Sequence, residues 1–383
     1  MGQVTARLRR WRLLGAVLGV GLGASAGCAS SGLGDHLREN ARAEIRARGL
    51  DPASVLIPFE ATAQMKQWVA SSVPRNNNLD IQLNWLLQSV LSRGAPQLRY
   101  VSGYTGTSAE VFERGSANCL GFTQMFVALA RELELPVYFL RVSDLQSFER
   151  EGDLIVASAH ITAALGPPSS RRILDFAERP VSAYRWVEAI SDLTAIALYY
   201  SNRGAEELRE GRNEEGLELL RIATRVDPEL AEAWVNVGVA ERRSGNSVAA
   251  EAAYRRALEV DATTVSAYQN LAGLLRVQGR STEAEELLGL TDRAGNRNPY
   301  SYLALGDLSL RQGRISEAER FYRRAIRLDP EQAEAQAAMG HWALRAGKPR
   351  EAQKFLRRAQ KIDPANDRVD ALSRSLSAST PQS

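Results

Sequence analysis

The sequence predicts an α+β domain followed by an all-α solenoid of helical repeats, preceded by a short export signal. Residues 61–196 combine helical periodicity with short runs of β-branched and aromatic residues, which is typical of a mixed domain. From residue 197 onward the sequence repeats itself every 34 residues, a period typical of stacked helical pairs. A chain of 383 residues, 44% of them hydrophobic, has room for both parts.

The leader, residues 1–27, has the layout of a secretory signal peptide. Four arginines precede an apolar run from Leu13 to Ala24 that is too short and too rich in glycine for a convincing spanning helix. Because those arginines account for the net charge of +3, the remainder of the chain is close to neutral. Charge therefore gives no argument for a nucleic-acid partner.

The small residues Ser25, Ala26 and Gly27 precede Cys28, an arrangement that resembles a bacterial lipobox. The resemblance implies a lipid on Cys28 and a membrane anchor. Ala29 follows where an aspartate would signal retention, which implies the outer membrane, facing the periplasm. An ordinary cleaved signal or an uncleaved anchor is the alternative. Residues 28–60 are then a tether, with a charged helix over 34–48.

Amphipathic spacing predicts the helices of the mixed domain, and β-branched runs predict its strands. The predicted helices are Leu79–Leu91, Thr107–Arg114 and one from Cys119 to a stop at Pro136, and the predicted strands are 137–142, 158–165 and 171–177.

Histidine is scarce, and His160 is the only one in residues 61–196. It lies on the second predicted strand, which GPPSS joins to the third. An antiparallel hairpin centred between Pro167 and Pro168 places His160 opposite Asp175, where a carboxylate can orient the imidazole. A slip of one residue in the register would separate the two side chains.

Cys119 has no partner for a disulfide if Cys28 is acylated, since the chain has two cysteines. It is either an inert buried thiol or a nucleophile. The start of a helix favours the thiolate, and the backbone N–H there points to where an oxyanion would form. His160 is then the only plausible base within the domain.

The order of Cys119, His160 and Asp175 resembles that of the transglutaminase-like core, a papain-related fold. The resemblance covers roughly residues 95–180 and is most specific in GSANCLGFTQMFVALARELELPVYFLRV. It implies Cys119 as nucleophile, His160 as general acid and base, and Asp175 as the residue that orients the histidine. Many members have His-Ala-Trp where this chain has His-Ile-Thr. A second oxyanion donor is not placed, and Gln67, Tyr104 and Gln124 are the candidates.

The repeats fill residues 197–366 in five units that begin at Ala197, Ala231, Val265, Pro299 and Ala333. Each unit has a large residue near its start, a small eighth residue, glycine at its fifteenth and a large twenty-fourth residue. A small residue facing a large one lets two helices pack closely, and glycine turns the chain between them. The pattern resembles the tetratricopeptide repeat. Residues 367–383 complete the chain as a capping helix and tail.

One position of the repeats carries a recurrent charge, namely Arg209, Arg243, Arg311 and Arg345. These arginines form either a basic stripe for an acidic partner or the solvated end of each first helix. The inner surface lacks the lysine and asparagine set with which similar repeats clamp the carboxylate of a peptide C-terminus.

The stretches TGTSAEVFERGSANCLGF and ISDLTAIALYYSNRGAEEL extend the resemblance to bacterial lipoproteins that join a transglutaminase-like domain to tetratricopeptide repeats. This resemblance implies a lipid-anchored envelope enzyme that cleaves or transfers a peptide or other amide bond through an acyl-enzyme. The repeat groove would recruit a protein or peptide partner. The alternative is a non-catalytic scaffold in which both domains bind proteins. Without metal-ligand spacing, a phosphate loop or a dinucleotide fingerprint, we expect no cofactor.

Metabolic labelling with a fatty-acid analogue tests the lipid anchor. The wild-type chain should carry the label, and Cys28→Ala should abolish it because the acylated thiol is removed. Cys119→Ala is the matched control and should keep the label. Label that persists in Cys28→Ala would overturn the assignment.

Overall fold

A computed structural model describes residues 32–91, 98–151, 154–174, 187–291 and 298–379. Cys28 and Asp175 lie outside these ranges, so the predictions made for them remain predictions. None of the described helices is both long and apolar enough to cross a bilayer.

Residues 32–190 contain helices, a two-stranded parallel sheet and a four-stranded antiparallel sheet in one mixed assembly. The helices are α1 Leu33–Ala47, α2 Ala63–Ser72, α3 Leu79–Leu91, α4 Ser108–Arg114 and α5 Cys119–Glu132. The strands are β1 Arg99–Tyr100, β2 Ser116–Ala117, β3 Val137–Glu151, β4 Leu154–Leu165, β5 Arg172–Leu174 and β6 Val187–Ile190. The three helices predicted in residues 61–196 are confirmed, and the predicted strand over 137–142 continues to Glu151 as β3.

Local chemistry explains where α4 begins and ends. Thr107 accepts a hydrogen bond from the Glu110 N–H, and the Glu110 carboxylate accepts one from the Thr107 N–H, which forms a capping box. Gly115 ends the helix at a φ of +63°, in the left-handed region that glycine enters without steric cost. The capping box and the terminal glycine can both be recognised in the sequence. They fix where α4 ends and where the loop that leads into α5 begins.

Helix α5 is the centre of the mixed assembly, since every residue from Leu120 to Arg131 is buried. The sequence predicts a single buried apolar face for this helix, but in the structure its polar residues are buried as well. Thr123 is buried because its hydroxyl reaches two backbone carbonyls, and Arg131 because it pairs with Asp192. Helix α1, in the segment expected to be a tether, packs on α5 and α6 with Ile45 fully buried.

The main sheet has the strand order β5-β4-β3-β6, and all of its neighbouring strands are antiparallel. The register expected for the β4–β5 hairpin pairs Leu174 with Ile161, but the observed partner of Leu174 is Ala163. The reason is the turn, in which the Ser170 N–H donates to the Pro167 carbonyl, so that the hairpin is centred one residue later. The expected opposition of His160 and Asp175 therefore rests on a register that the described pairs do not have.

The second part consists of consecutive helical pairs, which confirms the predicted repeats. Its helices are α6 Asp192–Arg209, α7 Asn213–Val226, α8 Ala231–Arg243, α9 Ser247–Val260, α10 Val265–Val277, α11 Ser281–Thr291, α12 Pro299–Arg311, α13 Ile315–Leu328, α14 Ala333–Arg345, α15 Pro349–Ile362 and α16 Asp367–Ser379. The fifteenth-position glycines have φ between +73° and +82°, which is why glycine recurs there. The predicted capping helix is α16.

The repeats and the mixed assembly share a core rather than meeting at a linker. Helix α6 begins at Asp192, five residues before the first repeat unit, and its buried apolar residues between Leu193 and Tyr200 belong to the same hydrophobic core as those of α5. Strand β4 also contacts α8 and α10, and Arg141 of β3 pairs with Glu232 of α8 at 3.2 Å. The first helices of the second and third repeats are therefore covered by the sheet.

Close helix packing inside the repeats depends on glycine. A Cβ added at Gly238 would lie 2.4 Å from the ring of Tyr254, which is fully buried and held between helices. At Gly289 in α11 an added Cβ would meet nothing within 4 Å. The two glycines thus offer a matched comparison of packing against backbone entropy.

Gly238→Ala should destabilise the protein by about 1–3 kcal/mol, because the added methyl overpacks a filled core. Gly289→Ala should stabilise it by up to about 1 kcal/mol, because alanine favours a helix and no neighbour opposes the methyl. Denaturant unfolding followed by circular dichroism measures both. Equal shifts of the two midpoints would show that the Tyr254 contact does not control this interface.

Candidate functional site

Cys119 is the first residue of α5 and is half-buried, with its thiol free. Asn118 caps the helix, since its side-chain oxygen accepts a hydrogen bond from the Gly121 N–H at 3.0 Å. The Asn118 N–H donates to the Tyr104 carbonyl at 2.8 Å, and its side-chain amide donates to the Thr105 hydroxyl at 2.7 Å. The cap and the loop before it therefore hold Cys119 at a defined place.

The first repeat helix supports this loop. The Thr105 N–H donates to the carboxylate of Glu206 on α6 at 2.7 Å, and Arg203 donates to the same carboxylate at 2.8 Å. Burial raises the pKa of Glu206, although both of these partners act in the opposite direction. A continuous set of hydrogen bonds thus runs from α6 through Thr105 to Asn118. No local sequence signal indicates this contact, because Glu206 is about a hundred residues from Thr105.

His160 lies on β4, beside the first turn of α5. The Thr123 hydroxyl is 2.8 Å from the Cys119 carbonyl oxygen and 3.1 Å from the Ile161 carbonyl oxygen, so helix start and strand are adjacent. Ile161 belongs to the same hydrophobic core as α5, and because side chains alternate along a strand, His160 lies on the opposite face of β4 from Ile161. The structure brings the two elements together, and a direct Cys119–His160 contact stays a prediction.

The three candidates for a second oxyanion donor have different surroundings. Gln124 is fully buried on α5, and neither of its amide atoms has a hydrogen-bond partner among the described residues. The hydroxyl of Tyr104 is also buried and has no partner in the described ranges, while the carbonyl of the same residue accepts from Asn118. Gln67 is exposed on α2. Of the three candidates, Gln124 and Tyr104 are therefore the buried donors without a partner in the part of the chain that the structure describes.

The repeats contain a second candidate site, a cavity of about 580 Å³ between the first helices α12 and α14 and the capping helix α16. Its lining combines cationic, anionic and apolar side chains. They are Asp307, Leu310, Arg311, His341, Leu344, Arg345, Arg368 and Ser375.

One half-buried ion pair organises this cavity. Arg368 of α16 donates to both carboxylate oxygens of Asp307, and the Tyr322 hydroxyl donates to the same carboxylate at 2.6 Å. Burial alone would raise the pKa of Asp307, but the charge of Arg368 and these hydrogen bonds hold it below its usual range. The pair ties the capping helix to the fourth repeat, so the shape of the cavity depends on it.

The recurrent arginines are not equivalent. Arg243 donates to the Leu208 carbonyl at 2.6 Å, so its guanidinium group links the second repeat to the first. Arg311 and Arg345 are exposed at the cavity, and neither has an ion-pair partner in the part of the chain that the structure describes. The repeat pattern alone does not distinguish these roles.

Among the described residues, no group of three or more histidine, cysteine, aspartate or glutamate side chains is arranged to hold a metal ion. The described side chains offer a thiol at Cys119 and arginines able to bind an anion at the cavity between α12, α14 and α16.

Family profiles described as tetratricopeptide repeat match residues 202–267 and 309–376. The chain therefore contains tetratricopeptide repeats, and proteins with such repeats bind protein or peptide partners. No match was found among curated protein sequences.

Several solved structures are similar to this chain. PilF of Pseudomonas aeruginosa is 23% identical over 48% of this chain and 83% of its own, with a TM-score of 0.42. TTC0263, a tetratricopeptide-repeat protein of Thermus thermophilus, is 18% identical over 48% of this chain and 99% of its own, with a TM-score of 0.39. YrrB, described as a repeat protein with an unusual peptide-binding site, is 17% identical over 46% of this chain and 92% of its own, with a TM-score of 0.35.

Alkylation by iodoacetamide tests the thiol site in the folded full chain carrying Cys28→Ser. Cys119 should react readily, and His160→Ala should slow the reaction by about tenfold, because the predicted base of the thiol is removed. His341→Ala, in the fifth repeat, is the matched control and should leave the rate unchanged. A thiol that reacts only after unfolding would make Cys119 an inert core residue, and a rate that His160→Ala does not change would reject His160 as its base.

Proposed function

We propose that this protein is a cell-envelope scaffold whose C-terminal repeats bind a protein or peptide partner. The observation that carries the proposal is the open cavity between α12, α14 and α16, because it joins a recessed apolar surface to arginines that have no ion-pair partner among the described residues. Ligand sites in proteins have this combination of an apolar lining and a few polar groups.

The other end of the repeats supports the same function. The contacts of β4 with α8 and α10 cover the first helices of the second and third repeats. A partner that enters from solvent therefore meets the fourth and fifth repeats and the capping helix. The mixed assembly acts as a structural base for the repeats, and its lipid anchor at Cys28 would hold the scaffold at the outer membrane.

Photo-crosslinking in the host cell tests the proposal on the full chain. A benzoylphenylalanine residue replacing Arg345 in the cavity should give discrete protein adducts, whereas the same residue replacing Arg357 should not. Arg357 is a matched control because it is exposed on the second helix of the same repeat, away from the cavity. Equal adduct formation at both positions, or adducts at Arg357 alone, would reject the cavity as the partner site.

A thiol enzyme is the second candidate, supported by the half-buried Cys119 at the start of α5 beside the strand that carries His160. In this reaction the thiolate attacks an amide carbonyl to form a thioester, and the departing amine takes a proton from the histidine. Water or a second amine then releases the acyl group and restores the thiol. Cys119→Ser would remove this activity and leave the crosslinks from position 345 intact, so the two functions are separable.

A further inference from the structure

The cavity between α12, α14 and α16 has an excess of positive charge. Three arginines line it against one aspartate, and Asp307 is already engaged by Arg368 and Tyr322. Arg311 and Arg345 have no ion-pair partner among the described residues, although the charge of Arg311 also acts on Asp307. An unpaired pair of guanidinium groups favours carboxylate or phosphate groups, which accept two parallel hydrogen bonds from each fork.

His341 adds no fixed charge near neutral pH. Burial, with the charge of Arg368, lowers the pKa of His341, so its imidazole is neutral there. The positive charge of the cavity is thus that of the arginines alone.

The spacing of the two arginines fits a peptide. They occupy the same position in consecutive repeats, on the neighbouring helices α12 and α14, whose axes are expected to lie about 8–10 Å apart. Two side chains on one face of an extended peptide are about 7 Å apart along the chain. Flexible arginine stems can cover the difference, so acidic residues at alternate positions can meet both guanidinium groups.

The cavity also has an apolar wall formed by Leu310 and Leu344, one residue before each arginine. Both leucines are half-buried and so remain in part available to a ligand. A volume of about 580 Å³ holds a few side chains of a peptide. An apolar wall beside a cationic rim favours a segment that carries both apolar and acidic side chains over a purely charged polymer.

We infer that this cavity binds an extended acidic segment of a protein partner, in which aspartate or glutamate side chains contact Arg311 and Arg345 and an apolar side chain contacts Leu310 and Leu344. The inference rests on the proposed partner-binding function and adds the chemical class of the partner. The Arg368–Asp307 pair holds the shape of the site. Because the two charges neutralise each other, we do not expect either of them to bind the ligand.

Fluorescence anisotropy tests the inference with a fluorescein-labelled peptide of alternating leucine and glutamate and the full chain. The wild-type protein should bind it, and the same peptide with glutamine in place of glutamate should bind at least about tenfold more weakly, since two charge-assisted contacts are lost. Arg311→Gln with Arg345→Gln should give a similar loss. Raising the salt concentration should weaken binding of the glutamate peptide more than binding of the glutamine peptide.

The matched control is Arg327→Gln with Arg357→Gln, which removes the same charge from exposed positions on the second helices of the same repeats. It should leave binding unchanged. Circular dichroism should show that all variants keep their helical content, because the substituted arginines are exposed.

Four results would overturn the inference. They are no binding of the glutamate peptide by the wild-type protein, equal binding of both peptides, equal loss in the control variant, and tighter binding of a labelled single-stranded oligonucleotide than of the glutamate peptide. Crosslinks at position 345 together with any of these would leave the partner site standing and reject only its acidic ligand. Absence of such crosslinks would instead reject the proposed function.

Discussion

An ion pair between Arg131 and Asp192 ties the mixed assembly to the first repeat helix. Arg131, in the last turn of α5, donates to both carboxylate oxygens of Asp192 at 2.8 Å and 2.9 Å, and Asp192 is the first residue of α6. The guanidinium group lies over the rings of Phe59 and Phe139, at 5.5 Å and 5.8 Å from their centres. Removal of either partner would leave an uncompensated charge in the core, which is why such a pair constrains what surrounds it.

The position of the repeats follows from this constraint. Because α6 is both the first repeat helix and a wall of the core around α5, the solenoid starts in a fixed orientation relative to the sheet. That orientation brings β4 against α8 and α10, whereas α12, α14 and α16 line an open cavity among the described residues. The division of the repeat surface into a covered and an open end is therefore a property of the whole chain. A repeat array taken alone would offer its entire inner surface.

Helix α6 contributes to the structural support of both candidate sites. Its Glu206 holds Thr105, which holds the cap of the helix that begins with Cys119. The same helix begins the stack that ends at the cavity beside Arg345. A scaffold that supports a thiol at one end and a binding cavity at the other is consistent with either proposed function, and the chemistry of each site decides between them separately.

The sequence by itself determined the features that depend on local chemistry. The 34-residue period, the turn glycines with positive φ, the capping box at Thr107 and the start of α5 at Cys119 all follow from residues close together in the chain. These features are predictable because each is decided by backbone geometry within a few residues, or by the same local pattern recurring along the chain.

Only the tertiary structure decided the features that join distant residues. The β4–β5 register differs from expectation because GPPSS allows more than one turn and the backbone closes at Pro167 and Ser170. The roles of Arg243 and Arg345 differ although they share a repeat position. Arg243 donates a hydrogen bond to a backbone carbonyl, whereas Arg345 lines an open cavity. Long-range contacts such as Glu206 with Thr105 leave no periodic trace, since burial and pairing are settled by which elements the fold places side by side.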